Sequence, residues 1–386
     1  MPRYCETLDI RYVPVDRTIV REPVDCEGVA AQWVSVPQSR PDRIFFYLHG
    51  GSFTFRFLNA HAAFAARLCR RLRARALIPD YRLAPAHPYP AAPDHCHVAY
   101  RWAPKHAGAA RDIVFLGDSA GGNLVLVTIV RALRAGEALP ACAVLLSPAV
   151  DVTLASRSIV YNASFDLLLS LHNLLVLRRG YVVSPELYAH ADVSPLFADF
   201  SGYSPLFLQA GSTELLRDEA VRTAEKAHAA GVDAELELWP ETPHSFQMAP
   251  FLPETMQELD RAVRFIAART GCGANIAQQE IAGPIGAGVS QAASALRTPL
   301  QRRPLRSQQT RRPRARLPGR SIAGSPPLLG LAQCTTASSP CFSRTFAMPG
   351  CVSFGTITRI LFAGSSMKMF SAGMPLARNS SRTLRA

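Results

Sequence analysis

Short apolar runs alternate with longer amphipathic ones along most of this chain. Residues 43–48, 76–80, 113–116, 141–146 and 205–210 are near-continuous apolar stretches of strand length. Such runs suit strands buried on both faces of a parallel sheet. Helix-length segments lie between them: 60–73, a stretch running through Trp102, 124–133, 219–230 and 254–270. Gly231 stands where a helix C-terminal glycine is wanted. Two further strands are predicted at 18–23 and 29–36, joined by the turn Asp25-Cys26-Glu27-Gly28, and an alternating strand at 234–239 suits a sheet edge. Together these elements predict an α/β fold with a mostly parallel central sheet flanked by helices.

Two regions break the rhythm. Residues 151–203 hold short apolar segments, 165–169 and 173–177, read as small helices. An insertion there is expected to cap the cleft, the alternative being a peripheral helical pair that never meets substrate. From residue 272 to 386 the periodicity stops. That segment is rich in Arg, Ser, Pro, Ala and Gly, and it is expected to be a disordered tail. The domain prediction is therefore 1–271 for the folded domain and 272–386 for the tail.

The tail changes how the net charge is read. The formal charge is +13, which invites a nucleic-acid partner. Yet residues 272–386 hold 15 of the 42 basic residues and one of the 29 acids, Glu280. The rest is almost neutral, and no aromatics alternate with the tail arginines. No nucleic-acid partner is expected. Arg67, Arg70, Arg71 and Arg73 read as a solvated helix face. The nine cysteines show neither a Cys-x-x-Cys pair nor zinc spacing. His95 and His97, two apart, point about 200° apart on a helix and cannot share an ion. No metal and no cofactor are expected. The start of the chain lacks a signal-peptide pattern, and no run reaches membrane-spanning length. The expectation is a cytoplasmic protein without a membrane partner; for assembly, a homodimer is the open candidate.

The chemistry centres on Gly117-Asp118-Ser119-Ala120-Gly121-Gly122, between a predicted strand and a predicted helix. A serine on so tight a turn needs small neighbours, and its Oγ then points into a cleft. The amide of Ala120, at the new helix's N-terminus, is placed to face a developing oxyanion. His49-Gly50-Gly51 ends another strand, where glycines let backbone amides approach a substrate. A histidine, His244, follows in a loop after the last strand. Two acids lie between, Glu214 and Asp218. Glu214 sits in a loop just past a strand; Asp218 directly precedes a helix, where Asp is a natural N-cap. Position therefore favours Glu214, with Asp218 as the alternative acid.

These motifs resemble the hormone-sensitive-lipase-like family of bacterial esterases, α/β-hydrolases with the order nucleophile, acid, base. The resemblance rests on His49-Gly50-Gly51, Asp80-Tyr81-Arg82-Leu83-Ala84-Pro85, His87-Pro88-Tyr89-Pro90, Gly117 through Gly122 and Pro243-His244-Ser245-Phe246, and it covers residues 18–270. It implies a serine carboxylesterase acting on small short-acyl esters or lactones. Ser119, Glu214 and His244 would be catalytic, with Gly50, Gly51 and Ala120 as the oxyanion hole. Competing readings are an impaired hydrolase fold serving as a small-molecule receptor, and an amidase on the same fold. Relative to the family's pattern the N-terminus is short, where relatives have a helical piece that completes the cap, and two motif positions differ. Ser52 stands where the family has a third glycine, and Glu214 where its acid motif begins with Asp.

Overall fold

A computed structural model describes residues 16–270, together with Thr7, Asp9, Arg11 and Val13. The predicted tail from residue 272 lies outside the described residues. Eight strands form one sheet: β1 (Val20–Cys26), β2 (Val29–Ser35), β3 (Ile44–Leu48), β4 (Arg75–Pro79), β5 (Ile113–Asp118), β6 (Cys142–Leu146), β7 (Leu206–Gly211) and β8 (Ala234–Trp239). Their spatial order is β1-β2-β4-β3-β5-β6-β7-β8. β1 and β2 pair antiparallel, as do β2 and β4; every later pair is parallel.

The helices are α1 (Leu58–Leu72), α2 (Ala91–Ala107), α3 (Ala120–Arg134), α4 (Ser158–Tyr161), α5 (Leu171–Tyr181), α6 (Arg217–Ala229) and α7 (Pro253–Thr270). The unbroken apolar strands are explained by two cores. Ile44, Phe46 and Leu48 of β3 face a core shared with α2, α3 and α6, while Phe45 and Tyr47 face one shared with α1 and α7. β5 divides the same way, with Ile113 and Phe115 on one side and Val114 and Leu116 on the other. Because both faces are covered, these strands are apolar apart from Tyr47 and Asp118, which bond each other.

The chain runs outward from β3 to β4, then returns across β3 to β5 and runs the other way. This reversal is a topological switch point, and the loops after β3 and β5 meet there. Leu48 pairs with Gly117, so the strand ends lie level.

Three expectations are corrected. Residues 165–169 are turns and bends, not a helix; the insertion's helices are α4 and α5. Here the Asp166 carboxylate accepts the amides of Leu168 (2.8 Å) and Leu169 (2.9 Å), closing a turn instead of starting a helix. Asp218 is not an N-cap, since α6 begins one residue earlier and Leu216 is its cap. The arginines of α1 are not a solvated face. Arg67 donates to the Gln247 carbonyl at 2.8 Å, Arg71 pairs with Asp260 at 3.0 Å, and Arg70 pairs with Asp16.

Candidate active site

Ser119 occupies the turn between β5 and α3 with φ 51° and ψ −119°. This backbone region is costly for any residue with a Cβ, by about 1–3 kcal/mol. The surrounding packing holds it there. The Ser119 amide donates to Leu146 O at 2.8 Å, and its carbonyl accepts from Ala149 at 3.0 Å. Gly121 makes the approach possible, because a Cβ there would overlap the Leu48 carbonyl of β3. The elbow and the loop after β3 are thus in direct backbone contact.

His244 arrives from the loop after β8. Its Nε2 lies 3.0 Å from Ser119 Oγ, and its Nδ1 lies 2.5 Å from Glu214 Oε2. All three side chains are buried. Glu214 is held by its own loop, with the Gly211 amide donating to Oε1 at 2.7 Å. The two loops are tied together, as Thr213 Oγ1 donates to Thr242 O at 2.7 Å. Burial disfavours a charged His244, but the hydrogen bond and charge of Glu214 more than reverse this, so its pKa is raised above the ordinary imidazole value. Of the two candidate acids, the structure brings Glu214 to the histidine. Asp218 faces elsewhere: its Oδ2 accepts the Ser158 amide at 2.9 Å, and its Oδ1 pairs with Arg217 at 2.7 Å.

The loop after β3 supplies the amides. Gly51 adopts φ 114°, and a Cβ there would strike the Phe55 carbonyl. Ser52 and Phe53 follow with φ 55° and 58°, left-handed values rarely taken by such residues. Gly50 needs a correction as an oxyanion donor, because its amide donates to Asp118 Oδ1 at 2.8 Å. The amides of Gly51 and Ala120 have no acceptor among the described residues.

Sequence reasoning passed over Asp118. It lies inside the Gly-x-Ser-x-Gly motif, yet its side chain points back across the sheet. Its Oδ1 accepts both the Gly50 amide and the Tyr47 hydroxyl, the latter at 2.7 Å. Burial pushes its carboxyl up, and those two hydrogen bonds oppose the shift. His49 supports the same loop from the other side. Its ring is sandwiched between Tyr81 (4.3 Å between centroids) and His61 (4.9 Å), and burial lowers its pKa to about 4. It is therefore a neutral structural ring near pH 7.

A cleft opens over Ser119. Ser52, Phe53, Ala149 and Val152 line it from the sheet side, and Leu174, Leu177, Arg178 and Tyr181 of α5 form its roof. The Phe53 and Tyr181 rings stack at 3.7 Å, joining the loop after β3 to that roof. The insertion also grips the Glu214 loop. Asn162 Nδ2 donates to Glu214 O (2.8 Å) and Ser212 O (3.0 Å), and Asp166 Oδ2 accepts the Leu215 amide (2.7 Å). Among the described residues, no group of three His, Cys, Asp or Glu side chains is arranged to hold a metal ion. No helix among them is long and apolar enough to cross a membrane.

A family model described as the α/β hydrolase fold matches residues 45–248. An esterase of Acinetobacter venetianus is 34% identical over 256 residues, covering 66% of this chain and 84% of that one. An esterase of Mycobacterium tuberculosis is 32% identical over 269 residues, covering 66% and 89%. Among solved structures, an esterase from the bacterial hormone-sensitive lipase family is similar with a TM-score of 0.67 at 36% identity. That alignment covers 70% of this chain and 90% of the other.

Proposed function

The chain belongs to the α/β-hydrolase fold family and is a carboxylic ester hydrolase of its hormone-sensitive-lipase-like branch; from that premise we propose that it cleaves small short-acyl esters and lactones through an acyl-enzyme formed on Ser119. The observation that supports this reading is the line of contacts from Glu214 through His244 to Ser119. A serine hydroxyl is a poor nucleophile at neutral pH unless a base within reach takes its proton. In the proposed mechanism His244 Nε2 accepts that proton as Ser119 Oγ attacks the ester carbonyl. Glu214 keeps Nδ1 protonated, so that Nε2 is free to act as base, and stabilises the imidazolium that forms.

The tetrahedral oxyanion is held by the amides of Gly51 and Ala120. Collapse expels the alcohol, which leaves with the proton from His244. Water then attacks the acyl-Ser119 carbonyl under the same base, releasing the acid and restoring the serine. The modest cleft and its carbon-rich wall favour small substrates over long acyl chains.

The test is Ser119→Ala with short and long 4-nitrophenyl esters. Alanine fits the elbow, so melting temperature should hold while kcat falls by several orders of magnitude. Wild-type turnover in Ser119→Ala would refute the mechanism. A preference for long over short acyl chains would refute the substrate class.

A further inference from the structure

Arg178 of α5 is the one cation among the residues lining the cleft over Ser119. Its guanidinium is fixed in place. Nη1 donates to the carbonyls of Thr153 (3.2 Å) and Val152 (3.4 Å), and the guanidinium carbon lies 4.4 Å from the Tyr188 ring centroid. This anchoring through Nη1 leaves the Nε–Nη2 edge without an acceptor, and Nε is buried. Arg131, Arg134 and Arg222 all have carboxylate partners. Arg178 forms no ion pair among the described residues.

The two acids on the same wall do not supply the missing charge. Asp151 Oδ2 is taken by Arg222 at 2.6 Å, and its Oδ1 accepts the Thr153 amide at 3.0 Å. Glu219 Oε2 is held by the amides of Val150 (2.5 Å) and Asp151 (2.8 Å), while its Oε1 is buried without a partner. Burial, with the Asp151 charge beside it, pushes the Glu219 carboxyl well above its ordinary range. Glu219 forms no ion pair with Arg178 among the described residues.

A guanidinium edge with no counter-charge, set in a carbon-lined cleft, is the complement of a planar anion. We propose that Arg178 selects substrates carrying a free carboxylate besides the scissile ester, namely monoesters of short dicarboxylic acids, a narrowing that rests on the carboxylesterase reading above. The carboxylate seats on the Nε–Nη2 edge while the ester carbonyl reaches Ser119. Hydrolysis then yields the dicarboxylic acid and the alcohol, with water as the only other reactant.

The experiment is a pH-stat comparison of monoethyl succinate, glutarate and adipate with the neutral ethyl esters of matching length. Wild-type enzyme is expected to favour the best monoester over its neutral match by about tenfold or more in kcat/KM, chiefly through KM. Arg178→Met should shrink that ratio roughly 10- to 100-fold, Arg178→Lys should keep part of it, and raised ionic strength should erode it. If Arg178→Met fails to fold, the wild-type preference and its salt dependence decide. Neutral esters hydrolysed as well as every monoester, or an unchanged ratio in Arg178→Met, would overturn the role of Arg178 and leave the carboxylesterase reading standing. No hydrolysis of either class would overturn that reading itself.

Discussion

Removing the Asp118 carboxylate separates its two possible roles, holding the fold and shaping the oxyanion loop. In Asp118→Ala the Gly50 amide and the Tyr47 hydroxyl both lose their acceptor. The site is 4% exposed, so water cannot readily replace it. Each orphaned buried group costs about 1–3 kcal/mol, or roughly 2–6 kcal/mol together. Relief from burying the carboxylate itself offsets part of that, so the lower half of the range is expected. For a domain of this size that is a melting shift of about 4–16 °C. Freed from Asp118, the Gly50 peptide can turn, and the Gly51 amide moves with it. Losing one oxyanion donor lowers kcat about 10²- to 10³-fold, which sets the ceiling. Asp118→Asn keeps an acceptor oxygen and loses only the charge assistance, so it should fall between the wild type and Asp118→Ala on both scales. The assay is kcat and KM on 4-nitrophenyl butyrate, with Ki for a trifluoromethyl ketone and the melting temperature measured on the same samples. Loss of kcat and of ketone affinity in parallel, with KM little changed, is the expected pattern. Asp118→Ala with a lowered melting temperature but wild-type kcat would show that the carboxylate serves the fold alone.

Other predictions concern the acid, the base and the strained loop. Glu214→Gln should cut kcat steeply and move the acid limb of kcat/KM to lower pH. The carboxylate raises the His244 pKa, and the base works only when neutral, so losing it leaves the imidazole neutral at a lower pH. An unmoved limb would contradict that cause. Asp218→Asn should change kcat by less than about threefold, because its contacts run to Ser158 and Arg217; a steep kcat loss would make it the acid after all. Ser52→Gly relieves a left-handed residue, worth about 1 kcal/mol, while the freer unfolded chain returns about 0.4–1 kcal/mol. Melting temperature and kcat should therefore stay near wild type, and a large kcat loss would give the Ser52 side chain a role of its own.

What could be read from the sequence was local. The strand lengths, the Gly117–Gly122 turn and the Glu214 loop are each written in neighbouring residues, and strand-then-loop placement was enough to prefer Glu214 over Asp218. What could not be read was contact across the sheet. The Asp118 bond to Gly50 exists because β3 and β5 are adjacent, although 68 residues separate the two in sequence. Its consequence, an amide of the His49-Gly50-Gly51 loop already committed, follows from topology and not from spacing. The insertion misled for the same reason. Residues 165–169 are apolar enough for a helix, but Asp166 spends one oxygen on its own turn and the other on Leu215. The α1 arginines looked like a wet face because their partners, Asp16, Asp260 and Gln247, lie far away in sequence.

The grip of the insertion on the Glu214 loop bears on how this enzyme can change. The roof that admits substrate and the loop that carries the acid share the hydrogen bonds of Asn162, Asp166 and Ser158, whose Oγ donates to Leu215 O at 2.6 Å. Selectivity and turnover are therefore not independent traits. A transplanted roof lacking those three side chains would leave the acid loop unsupported, and the chimera would lose rate before its new selectivity could be seen. Substitutions on the cleft-facing side of α5 avoid that coupling, since none of the three anchors lies on that helix. Divergence by point change on α5 is the open route, and wholesale exchange of the insertion succeeds only when its anchors travel with it.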